Sequence, residues 1–271
     1  AAAAAAAGGS ASKKAGGRKK KGAKKKGGGG KKKAAAAAKA AKESAGDETW
    51  TWHALDERAL LSVIGNHTAL NGVERIGGIN AADTVVVQGS GPIGMGALNQ
   101  SLLGGAGRVI VIGAPDTRLA LATRLGATDT VDLSTYPTPE ARVDRIKELT
   151  EGRGADVVIE ASGGLTAFQE GLEMVRFGGR YLVIGQWTDY GLLQANPALL
   201  TRKVIRVQGV FSAGPRHIIR SLQSMRSIVE RPVEELITHR YALEDVNEGF
   251  EAHERLEAMV AVILPNGEPA D

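Results

Sequence analysis

The chain has 271 residues with 34 Lys and Arg against 30 Asp and Glu, and the charge is uneven: fourteen of the basic residues precede Glu43 with no acidic residue among them, leaving 20 against 30 in the remainder. There is no cysteine, which excludes a disulfide framework and any Cys-ligated metal. No run reaches the ~20 apolar residues of a membrane span, and the N-terminus lacks the apolar core of a secretory signal, so the expectation is a soluble, cytoplasmic protein with no membrane partner.

Residues 1–46 are almost wholly Ala, Gly, Lys and Ser, with no apolar side chain larger than Ala. Such a segment cannot bury enough surface to offset chain entropy, so a disordered basic N-terminal tail is expected. Its Lys clusters at 19–21, 24–26 and 31–33 suit weak, non-specific, salt-dependent binding of nucleic acid, while the lack of interleaved aromatics argues against base stacking. A solubilising or vestigial tail, or an artefact of gene prediction, is an equal reading. A helical junction segment over 47–80 follows. Within it Leu55 to Ile64 carries an apolar helical face that should stop at Gly65, and Thr68 to Ile76 predicts a second helix closed by Gly77-Gly78.

From Asp83 the pattern alternates. Strands are predicted at 84–88, 108–112, 129–132, 155–160 and 179–185, with helices at 92–103, 116–125, 139–150 and 165–176 between them. Such alternation implies crossover connections and a parallel sheet, hence an α/β, doubly wound fold over 81–235. The near-continuous apolar runs Val85-Val86-Val87, Val109-Ile110-Val111-Ile112 and Val157-Val158-Ile159 fit strands covered on both faces. Further on, a strand at 204–211 and a helix at 215–229 are expected. The C-terminal segment 236–271 should hold an extended piece at 236–240, a helix at 243–255 and a last strand at 258–264.

The sharpest signal is Gly89-Ser90-Gly91-Pro92-Ile93-Gly94, a G-x-G-x-x-G turn between a β-branched run and apolar helical sequence. Gly89 permits a tight strand exit, Gly91 leaves room for a pyrophosphate against the backbone, and Gly94 lets the helix approach the sheet. The phosphates would meet the positive end of a helix whose first position suits Pro92. Where an acidic residue would grip the ribose diol at the end of the second strand stands Gly113. Asp116 could replace that carboxylate, or Arg118 could face a 2′-phosphate, so NAD and NADP both stay open. Glu160 reads as a cleft residue or as a buried structural carboxylate, and not as a catalytic group. Met95 and Met174 fall on apolar helical faces and read as core. His53, His217, His239 and His253 show no spacing suited to a metal or a catalytic pair.

With these residues assembled, the stretch from about Leu55 to Pro265 resembles the cofactor-binding, C-terminal half of the zinc-type alcohol dehydrogenases, the medium-chain dehydrogenase/reductase superfamily. The likeness rests on Gly72-Val73-Glu74-Arg75-Ile76-Gly77-Gly78-Ile79, on the glycine turn at 89–94, on Arg124-Leu125-Gly126-Ala127, on residues 154–163 and on residues 177–185. It implies a Rossmann domain, NAD(P) as coenzyme, and hydride transfer between nicotinamide and an alcohol or carbonyl substrate. It also implies that Ala161, Ser162, Ile184 and Gly185 line the coenzyme cleft, that Val210 and Phe211 meet the carboxamide, and that the strand at 204–211 pairs two copies into a homodimer. In the family an N-terminal domain supplies the metal, substrate pocket and proton relay. Here the basic tail stands in that place, and the junction position that supplies a further zinc ligand matches Ile64, which cannot bind one. No zinc and no catalytic residue are therefore assigned, and alcohol turnover by this chain is expected to be impaired. The C-terminal pieces, which in relatives return to the catalytic domain, are expected to pack poorly. The alternative is a non-catalytic dinucleotide-binding module with a nucleic-acid-binding tail.

Overall fold

The computed structural model describes residues 61–225 and 231–266. The basic tail, most of the first predicted helix and the end of the helix predicted over 215–229 lie outside the described residues.

Six strands form one sheet: β1 (Thr84–Gln88), β2 (Arg108–Gly113), β3 (Asp129–Asp132), β4 (Ala155–Glu160), β5 (Val175–Val183) and β6 (Arg206–Gly209). Every neighbouring pair is parallel, and the order is β3-β2-β1-β4-β5-β6. That is the doubly wound order, with its switch point between β1 and β4. The crossovers are α2 (Pro92–Leu103), α3 (Asp116–Leu125), α4 (Pro139–Leu149) and α5 (Ala167–Met174), with α1 (His67–Arg75) ahead of β1 and α6 (Ala198–Arg202) and α7 (Pro215–Met225) flanking β6. The start of α4 shows why such segments are helical: Pro139 opens it, and the Thr138 hydroxyl accepts from the Ala141 amide at 3.2 Å.

Strand side chains alternate faces, so each apolar run serves two cores. Val85, Val87, Val109, Val111, Val157 and Ile159 pack with Met95 and Leu98 of α2 and Leu121 and Leu125 of α3. Val86, Ile110, Ile112 and Val158 pack on the other face with Val143 and Ile146 of α4 and Leu172 and Met174 of α5. Met95 and Met174 are both core residues, as their periodicity implied. The three β1 valines are fully buried, each contributing roughly 1.5–3 kcal/mol.

Several boundaries depart from the sequence pattern. Gly65 does not stop a helix; a π-helical turn over Ser62–Asn66 runs straight into α1. The glycine serves a crossing instead, since a Cβ on Gly96 of α2 would lie 2.8 Å from the Gly65 carbonyl carbon. The predicted strand at 179–185 begins at Val175, directly after α5, with a register shift opposite Ala155–Val157. The predicted 204–211 strand shortens to Arg206–Gly209, because Val204 takes a left-handed backbone (φ 53°) and ends the preceding turn. Helix α6 has five residues, too few to show a period.

At the C-terminal end β7 (Ile237–Ala242) and β8 (Val260–Leu264) pair in parallel across α8 (Val246–Glu254). This segment was expected to pack poorly. Its inner residues Val233, Leu236, Ile237, Met259 and Val260 are instead buried in the same core as Val85 and Leu98, while Leu243, Phe250 and Leu256 stay exposed. The elements are amphipathic, so the core side is satisfied within this chain.

Candidate coenzyme-binding site

The carboxyl ends of β1, β2 and β4 surround a crevice of about 490 Å³ at the switch point. Gly89 leaves β1 with φ 117°, a backbone that L side chains rarely adopt, and its amide donates to Ile112 O at 2.8 Å. A Cβ there would meet the Ala161 carbonyl at 2.9 Å, so the ends of β1 and β4 touch only because this residue has none. A Cβ on Gly94 would overlap the Gly89 carbonyl oxygen, which sets how closely α2 approaches the turn. Gly91 differs: a Cβ on it would meet nothing within 4 Å. No side chain caps α2, and the helix starts beside that open space, where its dipole favours an anion.

Ser90 is buried with its hydroxyl donating to Ala114 O at 3.0 Å. Its side chain fills the place of a Cβ on Gly113, which explains the glycine at the end of β2: any side chain there would collide with Ser90. Gly113 and Ala114 line the crevice, as do Arg118, Ala161 and Ser162. Asp116 is exposed in the first turn of α3, outside the lining. Pro92 and Ile93 lie at the α2 start, partly exposed beside the opening.

The loops after β4 and β5 meet at one carboxylate, beside the main-chain bonds of Ile184 and Gly185 to Glu160 O and the Gln186 side-chain bond to Gly164 O. Glu160 is fully buried, and its Oε1 accepts from the Ser162 amide (2.8 Å), the Ser162 hydroxyl (2.8 Å) and the Gly163 amide (2.7 Å). Its Oε2 accepts from the Gly185 amide at 3.1 Å. Glu160 is thus the buried structural carboxylate that the sequence left as one of two readings. Ile184 is buried beside it, Val210 N–H donates to Val183 O at 3.0 Å, and Phe211 is exposed beyond the end of β6. Ile184, Gly185, Val210 and Phe211 follow β5 and β6 and do not line the crevice.

Sequence reading missed the crevice floor. Arg142 of α4 and Glu170 of α5, both buried, form a two-pronged ion pair with Nε–Oε2 2.8 Å and Nη2–Oε1 2.7 Å. Arg142 also donates to Tyr136 O and Pro137 O, and the Thr166 hydroxyl donates to Glu170 at 2.6 Å. Every polar atom that leaves water there has a partner, as a buried pair requires. Burial, reinforced by Glu160 and Glu170, pushes the Tyr181 hydroxyl far above the phenol range. It therefore stays protonated, donating to Ala167 O at 3.1 Å. Nothing local marks Arg142 and Glu170, which look like ordinary helix-surface charges 28 residues apart. Leu256 likewise reaches the crevice from the α8–β8 turn.

The sequence profile of the zinc-binding dehydrogenases matches residues 92–227, half of the chain and all of the glycine-turn helix through α7. The chain belongs to the zinc-binding dehydrogenase family. It is 36% identical over 185 residues to 5-exo-hydroxycamphor dehydrogenase of Pseudomonas putida, an alignment covering 68% of this chain and 51% of that protein. It is 31% identical over 191 residues to L-threonine 3-dehydrogenase of Bacillus subtilis strain 168, covering 68% and 52%. Among solved structures, an alcohol dehydrogenase from Thermotoga maritima superposes with TM-score 0.71 at 30% identity, covering 76% of this chain and 56% of that one. The chain spans about half the length of the curated relatives it matches. Among the described residues no three His, Cys, Asp or Glu side chains come together. Ile64 is exposed.

Proposed function

We propose that this chain binds a nicotinamide dinucleotide in the crevice at the β1–β4 switch point and serves alcohol–carbonyl oxidoreduction. The observation that carries the reading is the open space over Gly91, beside the uncapped first turn of α2. The backbone of Ser90 to Gly94 would hold the pyrophosphate, and Gly113, Asp116 and Arg118 stand at the ribose end. Ala161, Ser162, Ile184, Gly185, Val210 and Phe211 would flank the nicotinamide side, with Glu160 holding two of those loops at fixed spacing. When bound, the coenzyme supplies hydride exchange at its nicotinamide ring. The described residues offer neither a metal ligand set nor an assigned proton relay, so this chain alone is expected to bind dinucleotide and turn over alcohols poorly. Fluorescence titration with NADH and NADPH, followed by alcohol oxidation with and without added zinc, tests both halves. No binding of either dinucleotide refutes the first half; brisk zinc-dependent turnover refutes the second.

The names of the relatives put alcohol-to-carbonyl chemistry first and leave the substrate open. A homodimer through the sheet edge is also proposed. Among the described residues no strand pairs with the outer edge of β6, where Val207 and the neighbouring Val204 are exposed, and an edge of this kind favours pairing. Light scattering that shows only monomer at working concentration would exclude it. The second functional reading, a dinucleotide-binding module tethered to nucleic acid, rests on the fourteen cations before Glu43. A duplex DNA shift that survives removal of residues 1–46 would rule out the tail as its cause.

A further inference from the structure

Arg118 is the one cation at the ribose end of the crevice lining apart from the paired Arg142, and it is turned toward the chain itself. Its Nη2 donates to Leu256 O at 3.1 Å and to Ala258 O at 2.8 Å, carbonyls 138 and 140 residues further along the chain. Burial pushes its guanidinium below the usual arginine range. Leu256 takes a left-handed backbone (φ 60°), rare for a bulky residue, and such strain persists only where neighbours hold it. Leu256 forms part of the crevice wall. Immediately beyond it, Ala258, Met259 and Val260 are buried. The α8–β8 turn is thus fixed at one end by the core and at the other by Arg118.

We infer that Arg118 is a positioning residue that clasps the Leu256–Ala258 turn over the ribose end of the crevice, so that the site selects the coenzyme with a free 2′-hydroxyl, NAD rather than NADP. The inference deepens the coenzyme reading above and rests on it. A 2′-phosphate would have to take Arg118 from two main-chain carbonyls and release a strained turn, and it would lie near exposed Asp116, whose charge repels it. A diol makes no such demand.

The test is equilibrium titration of the full chain with NADH and with NADPH, for wild type, Arg118→Met and Leu256→Gly, with hydrogen exchange followed at residues 255–260. Wild type should bind NADH at least about tenfold more tightly than NADPH. Arg118→Met should weaken both coenzymes by the same factor, within about threefold, and speed exchange in the turn. Leu256→Gly, which keeps the arginine, should leave the preference for NADH in place. Equal binding of the two coenzymes by wild type, or a selective loss of NADPH in Arg118→Met, would show that the arginine meets the phosphate and overturn the inference while sparing the coenzyme site. Failure of wild type to bind either one would refute the site itself and the inference with it. Because the wild-type ratio decides the selectivity, a variant that does not fold cannot hide the answer.

Discussion

Replacing Glu160 by Gln probes whether one carboxylate holds the two cleft loops together. Gln keeps the length of the side chain and one acceptor oxygen, which can retain the Ser162 amide, the Ser162 hydroxyl and the Gly163 amide now on Oε1. Each of those bonds weakens when a carboxylate becomes a neutral amide, by about 0.5 kcal/mol apiece. The other half of the amide is a donor, and it would face the Gly185 amide, which now shares its proton between Oε2 and the Glu160 main-chain oxygen, each at 3.1 Å. The Gly185 amide keeps its main-chain acceptor, so the unsatisfied donor in this fully buried site is the Gln NH2, at a cost of about 1–3 kcal/mol. Glu160→Gln should therefore lose roughly 3 kcal/mol, read as a lower urea midpoint at unchanged m-value and a Tm fall of roughly 6–12 °C. Coenzyme affinity should fall with it, because the side-chain link from Ser162 and Gly163 to Gly185 is lost and only the Glu160 main-chain oxygen and the Gln186–Gly164 bond still join the two loops. A loss below about 1 kcal/mol with an unchanged slope would refute the argument that this carboxylate is the tie.

Three further perturbations separate neighbouring claims. Gly113→Asp should not create a tighter NAD site but weaken NADH binding, because its Cβ overlaps Ser90; the double variant with Ser90→Gly should recover binding, and a single variant that binds better than wild type would contradict this packing. Asp156 has its pKa raised by burial, but hydrogen bonds from Arg153, the Thr84 amide and Arg176 outweigh that and hold its carboxyl well below the usual range. Its stabilisation, on the order of 2 kcal/mol, is complete above about pH 4 and is lost as pH falls toward the depressed folded value, so Asp156→Asn should lower stability at neutral pH and flatten the acid limb of a stability–pH curve. An acid limb identical to wild type would count against it. Lys203 donates to Leu172 O, Glu173 O and Val175 O at 2.8–2.9 Å and so caps the C-terminal end of α5. Lys203→Met should cost about 2 kcal/mol in urea melts and raise exchange in the last turn of α5, and equal stability would remove the cap from the account.

Much of the architecture was legible in the chain before any coordinates. The alternation of apolar strand runs with helical periods placed all five strands from β1 to β5, and the glycine turn marked the crevice where it is found. Those signals are short-range: pleat, helical period, capping and turn chemistry all act within a few residues. Where they ran short, so did the reading. A five-residue helix carries no period, Gly65 looks like a stop when it is a crossing, and the packing of the β7–β8 unit depends on which face meets the core. The ion pair of Arg142 with Glu170, the Ser90 side chain that dictates Gly113, and the clasp from Arg118 to Leu256 join residues 23 to 138 positions apart. Local pattern determined which segments are strands and helices and where a phosphate could lie; only the folded arrangement decided which polar groups meet in the crevice walls, because those pairings exist only once the layers have closed around them.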